Sequence, residues 1–244
     1  MDIKVVCLKS SFLLKLMKYK FYLFLLFAFH LGTISAQWSM RPYLEYKSSA
    51  IHDNIGAACI AGYAFEDIYS VHAGGKIQSA GLGSFFAQGD FMWTVSEEKR
   101  IDAGFYNKYI YCNYFLYDIQ EFTVAVAGVL KTRYVDVTLG FSNRLYWNVR
   151  YDEKAIYERA NFLYEIKGRV FEEEHKYNLI FSISNIDDFY IERVQFLHLK
   201  AGGRYKLNGN VSLFLDAGFI PAGFFHLVSN YYAGFFKSGV ELSF

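Results

Sequence analysis

Tyr232–Phe244 reads YAGFFKSGVELSF. Laid out as a strand, it places Tyr232, Gly234, Phe236, Ser238, Val240, Leu242 and Phe244 on one side. Ala233, Phe235, Lys237, Gly239, Glu241 and Ser243 fall on the other. The first side carries no charge, whereas the second holds Lys237 and Glu241. That division suits a strand with lipid outside and a polar lumen inside.

The same dyad recurs upstream. Val135, Val137, Leu139 and Phe141 alternate with Asp136, Thr138, Gly140 and Ser142. Phe162, Tyr164, Ile166, Gly168 and Val170 alternate with Leu163, Glu165, Lys167 and Arg169, and Tyr177, Leu179, Phe181 and Ile183 with Asn178, Ile180, Ser182 and Ser184. Leu197–Lys206 and Val211–Phe219 follow the same rule. A period of two sustained this long predicts strands. Counting back from the C-terminus gives about twelve strands, with ten or fourteen as alternative counts, in an antiparallel transmembrane β-barrel. The expected spans are 38–48, 54–65, 69–80, 86–96, 102–117, 121–131, 133–146, 160–171, 176–186, 193–206, 210–219 and 232–244. The phase is blurred over Asn107–Tyr117, and Gly74, Gly75, Gly81 and Gly83 mark a bulge, a loop or a slipped register.

With its terminal Phe244, the last segment resembles the closing strand of bacterial outer-membrane β-barrels. In those proteins the final residue is typically aromatic and is read by the assembly machinery. The resemblance extends over 37–244 at the level of architecture and carries no family-specific motif. It implies an integral outer-membrane location, with membrane lipids and the assembly machinery as partners. Asn208-Gly209 is a strong hairpin signal and is expected on the periplasmic side, as are the short charged turns at Glu97–Arg100, Lys131–Arg133 and Glu172–Lys176. Longer connections at Asn148–Arg159, Ile186–Ile191 and Ile220–Tyr231 are expected to be extracellular.

The beginning of the chain agrees. Lysines are scattered over Met1–Lys20, FYLFLLFAFHL runs from Phe21 to Leu31, and small residues lead to Ala36. These are the parts of a signal peptide cleaved before Gln37, with Met17 as an alternative initiator. The apolar run is shorter than the roughly 20 residues a spanning helix needs. The balance of 25 basic against 24 acidic residues gives no nucleic-acid footprint. Aromatics make up 20% of the chain and there are 2 prolines. Trp38, Tyr46, Trp93, Tyr146, Trp147, Tyr164, Tyr205 and Tyr232 fall near strand ends, where amphipathic rings suit the headgroup level. Cys59 and Cys112 are read as outward-facing filler on different strands rather than as a disulfide.

The inward phase collects Arg41, Glu45, Lys47, Asp102, Asp136, Arg144, Glu165, Lys167, Arg169, His198, Lys200, Arg204, Asp216, Lys237 and Glu241. Small barrels are filled by their own side chains, so the expectation is a mostly filled lumen of mixed charge in a structural or small-solute envelope barrel. Within it, Glu165, Lys167, Arg169, His198, Lys200 and Arg204 are expected to share one network. The alternatives are a lipid-modifying enzyme, and a scaffold or adhesion partner in a surface or secretion complex. No HExxH, paired CxxC or P-loop occurs, and neither a metal nor a cofactor is expected. His72 and His198 read as lumen residues. His52 and His226 fall in loops, near Ser49 and Asp53 or near Ser229, without a hydrolase motif. In Ile220–Tyr231, Phe224 and Phe225, with His226, are the expected external contact, because adjacent exposed aromatics call for a cover.

Overall fold

A strand buried on one face and wetted by lipid on the other must hydrogen-bond along both edges, and closure satisfies every edge. The computed structural model describes residues 36–48, 53–65, 68–150, 154–172, 175–194, 196–220 and 233–244. The leader and Phe224, Phe225 and His226 lie outside the described residues. The strands are β1 Ala36–Ser48, β2 Asn54–Phe65, β3 Tyr69–Gln78, β4 Leu82–Ser96, β5 Ile101–Tyr114 and β6 Ile119–Lys131. They continue as β7 Val135–Asn148, β8 Ile156–Arg169, β9 Tyr177–Ser184, β10 His198–Lys206, β11 Val211–Ile220 and β12 Ala233–Ser243. Each pairs antiparallel with its sequence neighbours, and β12 returns to β1, so the 12 strands form a closed barrel.

The seam is held to its end. Phe244 N donates to the Trp38 carbonyl at 2.8 Å, and Trp38 N donates back at 3.2 Å. Glu45 stands opposite Lys237 across the same seam. The predicted phase holds on β12, where Phe235 and Lys237 are buried and Phe236 is exposed. It holds on β9 as well. Tyr177, Leu179, Phe181 and Ile183 are 44–60% exposed, while Asn178, Ser182 and Ser184 are at most 8% exposed. In a protein surrounded by water such an apolar exterior would be a large liability.

Three local features shape the wall. Gly81 turns β3 into β4 at φ +70°, a region L-residues rarely occupy. At Gly140 on β7 an added Cβ would lie 2.2 Å from the Val126 carbonyl of β6, so the strands approach too closely for any side chain. Between β7 and β8 the register jumps, Ser142 opposing Asn161 and Arg144 opposing Glu158. Ala160 sits at this bulge with φ 45° and donates its N–H to Asn143 Oδ1 at 2.9 Å. The bulge restores Glu158 to the inward phase, beside Arg144.

Several expectations need correction. Cys112 points inward and is 1% exposed. On β5 the outward positions include Asn107 and Asn113, which hides the phase in the sequence. β4 begins at Leu82 and β8 at Ile156, both earlier than expected. β10 begins at His198 rather than near Arg193, and Leu197, expected to face outward, is buried. The Ser79–Gly81 and Phe115–Asp118 connections at the end opposite the termini are short, so long connections do not uniformly mark that end. Gly74 and Gly75 lie within β3, in regular register with Phe86 and Phe85.

Candidate functional site

β8 runs beyond the end of β9. The two pair from Glu165 to Arg169, and past Tyr164 the backbone of β8 needs other partners. Asn185 supplies them. Its side chain donates to the Phe162 carbonyl at 2.9 Å and accepts from Tyr164 N at 2.9 Å, and its own N donates to the Tyr164 carbonyl at 3.1 Å. The segment Asn185–Leu197 then folds into the barrel instead of projecting outward. Ile186 and Ile191 form a β-bridge across its tip. The tip between them reads DDFY, Asp187–Tyr190.

Apolar contacts anchor the tip. Phe189 is 3% and Ile191 1% exposed, within a cluster that includes Phe86, Ile110, Ala125 and Leu163 from the wall. The Phe189 and Phe86 rings meet edge to face at 5.0 Å. Cys112 Sγ donates to the Phe189 carbonyl at 3.7 Å. On one flank Arg144 lies 5.3 Å over the Tyr190 ring, bonds the Ile191 carbonyl and pairs with Glu121 at 3.0 Å. Asn161 donates to the Glu192 carbonyl at 2.8 Å, and Arg193 pairs with Glu158 at 2.8 Å.

The two aspartates meet cations from several strands. Asp188 accepts from Arg41 Nη2 at 2.8 Å and from Tyr43 Oη at 3.1 Å, both on β1. Lys237 on β12 pairs with Asp187 and lies 3.5 Å from Asp188. Lys108 on β5 donates to the Asp187 carbonyl at 3.2 Å, and Lys200 on β10 to the Ile186 carbonyl at 2.9 Å. Glu45, 2% exposed, pairs with Lys76 on β3, lies 3.6 Å from Lys237, and accepts from Gln78 Nε2 at 3.3 Å. Burial alone would raise the Asp188 carboxyl. Arg41 and Lys237 outweigh it and hold the group below the usual carboxylate range. Asp187 is likewise held low against burial, by Lys237, Lys200 and Lys76.

The inward residues read from sequence separate into distinct sets. Arg41, Glu45, Lys200 and Lys237 meet the loop or its neighbours, and Glu241 lies 3.7 Å from Arg41. Arg169 pairs with Asp136 through both Nη atoms at 2.8 and 2.7 Å, and Arg204 pairs with Asp216 at 2.6 and 3.1 Å. Glu165 and Lys167 form no ion pair among the described residues. They line a polar cavity of about 350 Å³ toward the end carrying the termini, with His72, Asp90 and Lys131. His198 is buried, and neither ring nitrogen has a hydrogen-bond partner among the described residues. The expected network of Glu165, Lys167, Arg169, His198, Lys200 and Arg204 is therefore split. Arg169 and Arg204 take aspartates on adjacent strands, Lys200 takes the Ile186 carbonyl of the loop, and Glu165 and Lys167 line the cavity instead.

Sequence reasoning passed over Asp187, Asp188, Phe189 and Tyr190, together with Lys76 and Lys108. Ile186, Phe189, Tyr190 and Ile191, four large apolar or aromatic residues in a supposed solvent loop, were the available signal. Ser70, His72 and Asp90 also meet in the cavity. His72 Nε2 lies 3.2 Å from Ser70 Oγ and 3.5 Å from Asp90 Oδ2. A hydrolytic triad divides the two ring nitrogens between nucleophile and carboxylate. Here one nitrogen faces both groups, so the cluster is a hydrogen-bonded one without triad geometry.

No family model matches the chain, and no curated protein matches it. Among solved structures it is similar to the KdgM porin in complex with disordered oligogalacturonate, with a TM-score of 0.55 and 8% identity over 84% of this chain and 99% of that one. The KdgM porin solved separately gives 0.54 and 9%, with the same shares. The NanC porin gives 0.51 and 5%, over 82% and 98%. At such identities the likeness is one of fold. The chain has the fold of outer-membrane porin barrels.

Proposed function

We propose that this chain is an integral outer-membrane, porin-like barrel for small solutes, its lumen narrowed and largely filled by its own Asn185–Leu197 loop. Leader 1–36, with initiation at Met1 or Met17, directs export and is removed before Gln37. Lipids surround the exposed apolar residues, and the assembly machinery engages the terminal strand. The loop enters from the extracellular side, given periplasmic termini. Phe224, Phe225 and His226 provide an external contact for an envelope protein, a reading that rests on sequence alone.

The observation that carries this reading is the loop itself. Its apolar tip is packed against wall residues of several strands, and its acids are paired with lumen cations. Similarity to porins supports the reading, the KdgM porin among them having been solved in complex with disordered oligogalacturonate.

Planar-bilayer recording tests it. Wild-type protein is expected to give small discrete conductances, and replacing Ile186–Ile191 by a short Gly-Ser link should raise them several-fold. If neither form conducts while both show the heat-modifiable mobility of a folded barrel, the porin-like reading fails.

A further inference from the structure

The wall facing the loop tip is rich in cations, and acids carried by the loop neutralise much of it. Arg41 and Lys237 take the Asp187 and Asp188 carboxylates, with Tyr43 donating a further hydrogen bond. Lys108 and Lys200 meet neighbouring backbone carbonyls. Lys108 is 4% and Lys237 5% exposed with the loop in place, so the loop's own polar groups stand where water would otherwise meet them. Two wall acids offset part of the charge: Glu45, shared between Lys76 and Lys237, and Glu241, 3.7 Å from Arg41. With the loop withdrawn, Arg41, Lys108, Lys200 and Lys237 would face one space with too few acids to pair them. Like charges converging on one cleft focus a positive potential that draws an anion into it.

We propose that this wall is a binding site for a small solute carrying two carboxylates, and that Asp187 and Asp188 occupy it as a built-in competitor. The inference rests on the porin-like reading and names its solute class. Two neighbouring carboxylates of the solute replace those of the aspartates on Arg41, Tyr43 and Lys237, and its other oxygens take the carbonyl positions on Lys108 and Lys200. The exchange leaves charge pairing nearly unchanged. What the loop loses is the burial of Phe189 and Ile191, which sets how strongly it competes. A neutral solute offers no carboxylate in exchange and cannot displace the loop by this route.

The test is equilibrium binding of succinate, with succinamide as its neutral isostere, to the folded full barrel in detergent. Removing the competing charges in Asp187→Asn/Asp188→Asn should tighten succinate binding by about ten-fold or more, the factor by which a mostly docked loop lowers apparent affinity. Phe189→Ala/Ile191→Ala loosens the loop without touching a charge and should tighten it in the same direction. This second variant decides the matter if the first does not fold. Adding Arg41→Gln/Lys237→Gln to either loop variant should abolish the gain. Equal binding of succinate and succinamide, or succinate affinity unchanged in a folded loop variant, overturns the site. A barrel that conducts but fails these binding tests keeps its porin-like reading and loses the site. One that conducts in no form loses the reading, and the succinate affinities still decide the site.

Discussion

Glu45 holds two buried cations, Lys76 and Lys237, while itself 2% exposed. Truncating it leaves Lys76 buried without its anion, while Lys237 keeps Asp187 and Asp188, so Glu45→Ala should destabilise the barrel by about 3–5 kcal/mol. Glu165→Ala, in the open cavity without an ion pair, should change stability by less than about 1 kcal/mol. Urea titration of the folded barrel distinguishes the two, and equal losses would contradict this partition of the lumen. Ala160 makes an opposite prediction. At φ 45° it occupies a region that disfavours a Cβ by about 1–2 kcal/mol, so Ala160→Gly should stabilise by up to about 1 kcal/mol. A loss on the same titration would mean that this bulge is not formed. Alternation alone placed Arg41, Glu45, Asp136, Lys237 and Glu241 on the inner face, because lipid tolerates no charge opposite them. It failed at Lys108 and Cys112. There the outer face carries Asn107, Tyr109, Tyr111 and Asn113, so polarity no longer tells the two sides apart.

The loop Asn185–Leu197 is the element that the sequence left hidden. Asp187-Asp188 reads as a solvated turn, and Leu197 shares the phase of Leu199, which drew β10 back toward Arg193. What such patterning cannot see is that a loop's acids have partners on distant strands, Arg41 and Lys237 among them. Those partners make a pH prediction. The carboxyls of Asp187 and Asp188 are held below the usual carboxylate range by these cations, despite burial. Their contribution to docking is therefore fully present above the unfolded carboxylate value, about 3.9, and is lost only as pH falls through the lower docked values. Conductance should stay at its neutral-pH level down to about pH 4 and rise only in stronger acid. Opening near pH 5–6 would show that the two carboxylates are not paired as described.

Across the whole molecule, an even strand count puts both termini at one end, and the Trp38–Phe244 hydrogen bonds close the seam there. An epitope inserted after Asp152 should therefore be labelled on intact cells, and one at Gly209 should not. The reverse pattern would invert the barrel in its membrane. Strand number and closure were legible in the sequence because lipid outside and polar groups inside impose a strict period of two. The contents of the lumen were not, since interior contacts join residues with no shared period. The central claim is that Asn185–Leu197 lies inside the barrel against β5, and cysteine cross-linking in native membranes tests it most directly. Cys112 Sγ lies 3.7 Å from the Phe189 carbonyl. With Cys59 replaced by Ser, mild oxidation of Phe189→Cys or Tyr190→Cys should form an internal disulfide with Cys112, whereas Tyr177→Cys on the outer face should form none. Absence of a cross-link from both loop positions, in barrels that are folded and whose introduced thiols react freely with an impermeant external reagent, would place the loop outside the lumen and contradict the account.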